Sequence, residues 1–123
     1  MANLKNLHRI PALADGERVT VGNNRTIERK GPSYVCRLHG HAVFTTRARA
    51  SGQADVFLDA CGYLTATTAR AMQDFAGAFG VSLGVSRAGG VLSAMWQLDG
   101  EWCKRESAGG DVLSLVADRK ELA

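Results

Sequence analysis

His39 and His41 stand two positions apart in the run Cys36-Arg37-Leu38-His39-Gly40-His41. On an extended strand that spacing projects both imidazoles to one face. Paired histidines suit the general acid and base steps of phosphodiester cleavage. With Cys36, Cys61 or Cys103 they also have the donor chemistry of a zinc site. Structural zinc sites carry their ligands in close pairs, however, and only Cys36, His39 and His41 cluster here, without a second pair. No lysine or carboxylate is set beside the histidines. The expectation is no metal, no cofactor and no catalytic residue, which leaves a small hydrolase or nuclease using His39 and His41 as the weakest reading.

A second set lies in Thr65-Ala66-Thr67-Thr68-Ala69-Arg70. A threonine hydroxyl at a helix start accepts from an otherwise unpaired backbone N–H. The same orphaned N–H groups, with the positive end of the helix dipole, attract anions. Thr65, Thr67, Thr68 and Arg70 therefore form a candidate anion site, against the plainer reading that the threonines only cap the helix. A third set is basic. Residues 1–50 hold nine Lys/Arg against three Asp/Glu, whereas residues 51–123 hold six against nine. Arg25, Arg29, Lys30, Arg37, Arg47 and Arg49 make the first half a candidate surface for nucleic acid or an acidic partner. Phosphate binding of that kind weakens steeply with salt. Trp102 beside Lys104 and Arg105 suits base stacking or an interface hot spot. No Walker-type phosphate loop and no G-x-S-x-G elbow occurs.

The elements that must position these residues are read from periodicity. Arg18–Gly22 and Arg25–Lys30 read as short strands around the Gly22-Asn23-Asn24 turn signal. Tyr34, Cys36 and Leu38 alternate with Val35, Arg37 and His39 as in a half-buried strand, and His41–Thr46 resumes after Gly40. Arg47–Gln53 reads as a polar link, and Val56–Leu58 as a central strand apolar on both faces. After Cys61-Gly62, a helix over about 67–79 carries Ala69, Met72, Phe75, Ala76 and Phe79 on one stripe. Gly77 would let it approach a sheet closely, and Gly80 would end it. Val81–Ser86 and Leu92–Leu98 alternate as two strands around Arg87-Ala88-Gly89-Gly90. Asp99-Gly100 predicts a further hairpin into Glu101–Arg105, with Trp96 and Trp102 paired across it. Gly109-Gly110-Asp111 would break the chain and cap a helix over Val112–Leu122. Residues 1–16 read as an arm or short helix, and 107–123 as a terminal helix.

One domain of 123 residues follows: α+β, a small antiparallel sheet with one central amphipathic helix on one face. The hydrophobic share of 46% and charged share of 22% are those of an ordinary globular chain. No apolar run approaches the roughly 20 residues of a membrane span, and the first ten residues lack a signal-peptide pattern. Three widely spaced cysteines suit reduced thiols in a cytoplasm.

The stretch Leu38-His39-Gly40, then Val56-Phe57-Leu58-Asp59-Ala60-Cys61-Gly62-Tyr63, then the run from Thr65 to Phe75 resembles a family of small uncharacterised proteins of tailed phages and prophages. Its members show a Leu-Asn-x-Gly-Gly-Trp turn, then Thr-x-Thr-Thr opening a helix, then a tryptophan-bearing return strand. Here Cys61 stands for the first glycine and Tyr63 for the tryptophan; Thr65, Thr67, Thr68 and Trp96 match, over about residues 34–100. The resemblance implies a phage or prophage accessory protein working in a bacterial cytoplasm, and implies no activity. The function expected is binding, to nucleic acid or a host nucleoprotein complex through the basic surface. The alternative is a protein–protein inhibitor of a bacterial defence system, in the manner of an anti-CRISPR. Neither reading needs a membrane, and sheet edges such as that of the Val81–Leu98 hairpin would suit a homodimer.

Overall fold

The computed structural model describes residues 4–108 and 112–120. Leu7–Ala12 forms a 3-10 helix whose Ile10 is buried, and Lys5 N–H donates to the Val21 carbonyl at 2.7 Å, so the expected arm is docked. Strands β1 (Arg18–Gly22), β2 (Arg25–Lys30), β3 (Ser33–Leu38), β4 (His41–Ala48) and β5 (Gln53–Leu58) follow as an antiparallel meander. Helix α1 (Ala66–Ala78) comes next, then β6 (Leu83–Ala88), β7 (Val91–Leu98) and β8 (Glu101–Ala108) as a separate three-stranded sheet. The last strand, β9 (Leu113–Asp118), returns to pair with β5, closing a six-stranded sheet in the order β1-β2-β3-β4-β5-β9.

The core lies between the six-stranded sheet and α1. Every residue of the expected stripe is buried, and Phe75 and Phe79 both meet Phe44 of β4 with ring centroids 6.3 Å apart. Tyr34 of β3 adds a ring 5.2 Å from Phe79. Ala71 and Ala78 are buried as well, because β6 packs alongside α1 and covers it beyond a single stripe. Gly77 is exposed and a Cβ there would meet nothing within 4 Å, so the expected close approach at that position does not occur. Gly80 does end the helix, with φ 74°.

The terminal helix is absent: Leu113, Leu115 and Ala117 are buried in alternation along a strand, and Gly109-Gly110-Asp111 and Glu121–Ala123 lie outside the described residues. The polar link is a hairpin turn over 49–52, shorter at both ends than expected, because β4 runs to Ala48 and β5 starts at Gln53. That strand lies between β4 and β9, yet only one face is covered, since Phe57 is 42% exposed. Trp96 and Trp102 do not pair: Trp96 sits opposite Cys103, one step out of register with the Gln97–Trp102 pair. Trp96 is accordingly buried and Trp102 faces outward.

Candidate functional site

His39 and His41 are not on one strand. His39 and Gly40 form the two-residue turn between β3 and β4, with φ of 51° and 81° and Leu38 opposite His41. Both central residues at positive φ match the twist of a right-handed hairpin, and histidine tolerates that region better than most side chains. A second tight turn, Cys61-Gly62 with φ of 54° and 81°, follows β5. The Asp59 carboxylate accepts from Cys61 N–H at 2.8 Å, and Cys61 Sγ lies 3.4 Å from the Ala42 carbonyl. These contacts hold Tyr63 against the start of β4, where its ring centroid is 5.0 Å from that of His41, tilted by 37°.

Between the two turns and the first turn of α1 lies a cavity of about 470 Å³. Its apolar floor is Leu38, Val43 and Ala60; its walls are the His41 and Tyr63 rings; its rim carries His39, Thr65, Thr67 and Thr68. Val43 reaches the floor because β3 and β4 slip register between Cys36 and Arg37, which leaves both Val43 and Phe44 buried. The histidines and the threonines, two separate candidates in the sequence, thus meet at one site. Tyr63, 59% exposed, is the site residue that spacing did not reveal. Only the folding of Cys61-Gly62 against β4 brings it to His41.

The three threonines divide the work. Thr65 Oγ1 accepts from Thr68 N–H at 3.2 Å, so of the three threonines suited to capping it is Thr65 that caps the helix. Thr68 is 3% exposed and donates its hydroxyl to the Tyr63 carbonyl at 2.6 Å. Thr67 is exposed on the rim, and its hydroxyl has no partner among the described residues. Arg70 is exposed and does not line the cavity. A second hollow of about 370 Å³ shares Leu38, His39 and Thr67 with the first, so the two form one divided cleft.

The basic residues are not gathered. Strand parity puts Arg25 and Arg29 on the side of buried Ile27 and sets Lys30, Arg37 and Arg47 on the opposite face. Arg25 Nη1 bonds Asp74 of α1 at 2.6 Å, and Arg29 donates to the Leu13 and Gly31 carbonyls. Arg37 pairs with Glu28, whose carboxyl it holds below the usual range. Arg47 and Arg49 both reach Asp55, at 3.5 and 2.6 Å, and Asp55 is likewise lowered, chiefly by the Arg49 hydrogen bond. Lys30 is exposed at the end of β2. On the smaller sheet, Trp102 (61% exposed) and Lys104 share a face with Met95 (45% exposed). Arg105 points the other way and donates to the Ser114 carbonyl at 2.8 Å.

Cys36 is fully buried, and burial pushes its thiol well above the ordinary range. Cys61 is raised too, by desolvation and by Asp59. Among the described residues no group of three or more His, Cys, Asp or Glu could hold a metal ion, and no helix is long and apolar enough to cross a membrane. No protein-family model, no curated protein and no solved structure matches the chain.

Proposed function

We propose that this chain acts by binding and that the cleft at the start of α1 takes an unstacked base of single-stranded nucleic acid. The observation that carries the reading is the tilted His41–Tyr63 ring pair beside an apolar floor. An exposed phenol ring offers a stacking platform for any base, worth about 1–3 kcal/mol per base. The Thr67 hydroxyl and the His39 ring supply hydrogen-bonding groups at the rim. The positive end of the α1 dipole favours the phosphate that follows. The reading keeps the expected small phage-type accessory protein in a bacterial cytoplasm and moves its working surface from the basic strands to the cleft.

Fluorescence anisotropy with labelled oligo-dT and oligo-rU tests it. Tyr63→Ala is expected to weaken binding about tenfold or more, while the Arg47→Ala/Arg49→Ala double variant changes it less than threefold, because those arginines are held by Asp55. With one or two phosphate contacts, log K should fall with log salt at a slope of about −0.7 to −1.4. Tyr63-independent binding, or none, would sink the reading.

A second reading has one observation behind it. Trp102 and Met95 form an exposed aromatic and thioether face on the smaller sheet, and Met95 lines a hollow of about 300 Å³ together with Gln73, Gly84 and Lys104. A protein–protein inhibitor of a host defence complex would use such a face as its hot spot. That reading requires a stoichiometric complex with one purified defence component, abolished by Trp102→Ala and untouched by Tyr63→Ala.

A further inference from the structure

The second hollow of the cleft is built differently from the first. Its own walls are Leu4 and the β1–β2 turn with Asn23, Asn24 and Arg25, while Leu38, His39 and Thr67 are shared. The two hairpin turns are tied together, because His39 N–H donates to the Asn24 carbonyl at 2.8 Å. Arg25 is fixed by its bond to Asp74, 2.6 Å long with both side chains mostly buried. The wall is thus held in place before any ligand arrives, and preorganisation lowers the cost of binding.

We infer that the cleft is a dinucleotide site, in which the second hollow accepts the base adjacent to the one on Tyr63 and reads its edge with Asn23 and Asn24. This rests on the base-binding reading of the first hollow and specifies how much ligand that site takes. Each amide offers a donor pair and an acceptor, the groups that pair with base edges once a strand is unstacked. His39 and Thr67 stand on the divide between the hollows. A linker joining two bases therefore crosses there, next to the first turn of α1, where the dipole favours a phosphodiester. Arg25 spends Nη1 on Asp74 and has further N–H donors for that linker or the second base. Each hollow, about 470 and about 370 Å³, falls in the range that takes a small organic ligand. Tethering the two units makes the second contact intramolecular and raises affinity without a new partner.

Calorimetric titration of the full chain with a mononucleotide, a dinucleotide and the two dinucleotides abasic at the 5′ or the 3′ unit tests the inference. The intact dinucleotide is expected to bind at least about tenfold tighter than the mononucleotide, and each abasic form to lose most of that gain. Asn23→Ala, at an exposed turn position, should remove the gain and leave mononucleotide affinity and the thermal melt unchanged. Asn24→Gly, which keeps the positive φ of 56°, should act in the same direction. Equal affinity for mononucleotide and dinucleotide, or an abasic form that binds as tightly as the intact one, overturns the two-base site while base binding at Tyr63 stands. Failure of every ligand to bind overturns both.

Discussion

Thr68 shows how one hydroxyl couples stability to the site. Its side chain is buried, and Oγ1 holds the Tyr63 carbonyl while its N–H is capped by Thr65. Thr68→Val keeps the shape and removes the hydroxyl donor, leaving the Tyr63 carbonyl without that partner. The expected cost is about 1–2 kcal/mol in urea unfolding. Base binding should fall with it, because Tyr63 loses one of the three hydrogen bonds that position its backbone, keeping those with Thr65 N–H and the Ala60 carbonyl. Thr67→Val, on the exposed rim, should leave unfolding unchanged. The sequence shows three threonines suited to capping. Which of them turns inward depends on the path of Tyr63 over the helix start, a tertiary fact. Tyr63 itself could be found in the sequence only as the aromatic after a tight turn, since nothing in the spacing puts it near His41.

At the scale of the helix, two glycines that look alike in sequence behave oppositely. Gly77 lies inside α1 with open space where a Cβ would go. Gly77→Ala is therefore expected to stabilise by about 0.5–1 kcal/mol, through helix propensity and lower entropy of the unfolded chain. Gly80 has φ 74°, and a Cβ there would lie 2.2 Å from the Lys120 carbonyl oxygen. Gly80→Ala should cost about 1–2 kcal/mol from the left-handed backbone alone, and more once the clash is counted. Paired thermal melts check both signs. Strand β9 teaches a related lesson. Leu113-Ser114-Leu115-Val116-Ala117-Asp118 alternates with period two, but its apolar set also fits a short helix, and length alone cannot arbitrate. The unpaired edge of β5 decides it, because Leu58 to Gln53 can take Leu113 to Asp118 residue for residue.

The two sheets are joined through Asp118. Its carboxylate accepts from Asp99 N–H at 2.9 Å and from Gly100 N–H at 2.8 Å, clasping the β7–β8 turn, while Gln53 donates to Asp99 at 2.9 Å. The Gly100 and Asp99 N–H groups hold the Asp118 carboxyl below the usual carboxylate range. A lowered folded value means that the contribution is fully present above the ordinary carboxylate pKa of about 4. It is lost as pH falls through the still lower value in the folded chain. Asp118→Asn should reduce stability near neutral pH and flatten the loss as pH falls below the ordinary carboxylate pKa of about 4, read from urea midpoints. An unchanged acid limb would show that the clasp does not report on folding.

The alternation of strands, the amphipathic stripe of α1 and the turn residues were enough, by themselves, to determine an antiparallel sheet with one helix on its face, because those periodicities are local consequences of backbone geometry. The candidate site was not local. Strand parity split Arg25 and Arg29 from Lys30, Arg37 and Arg47 and gave most of them carboxylate or carbonyl partners. Two hairpin turns and a helix start, distant in the chain, closed around one cleft. Which charges are spent on the fold and which rings stay exposed is set by contacts between residues far apart in sequence, and only the tertiary structure decides them.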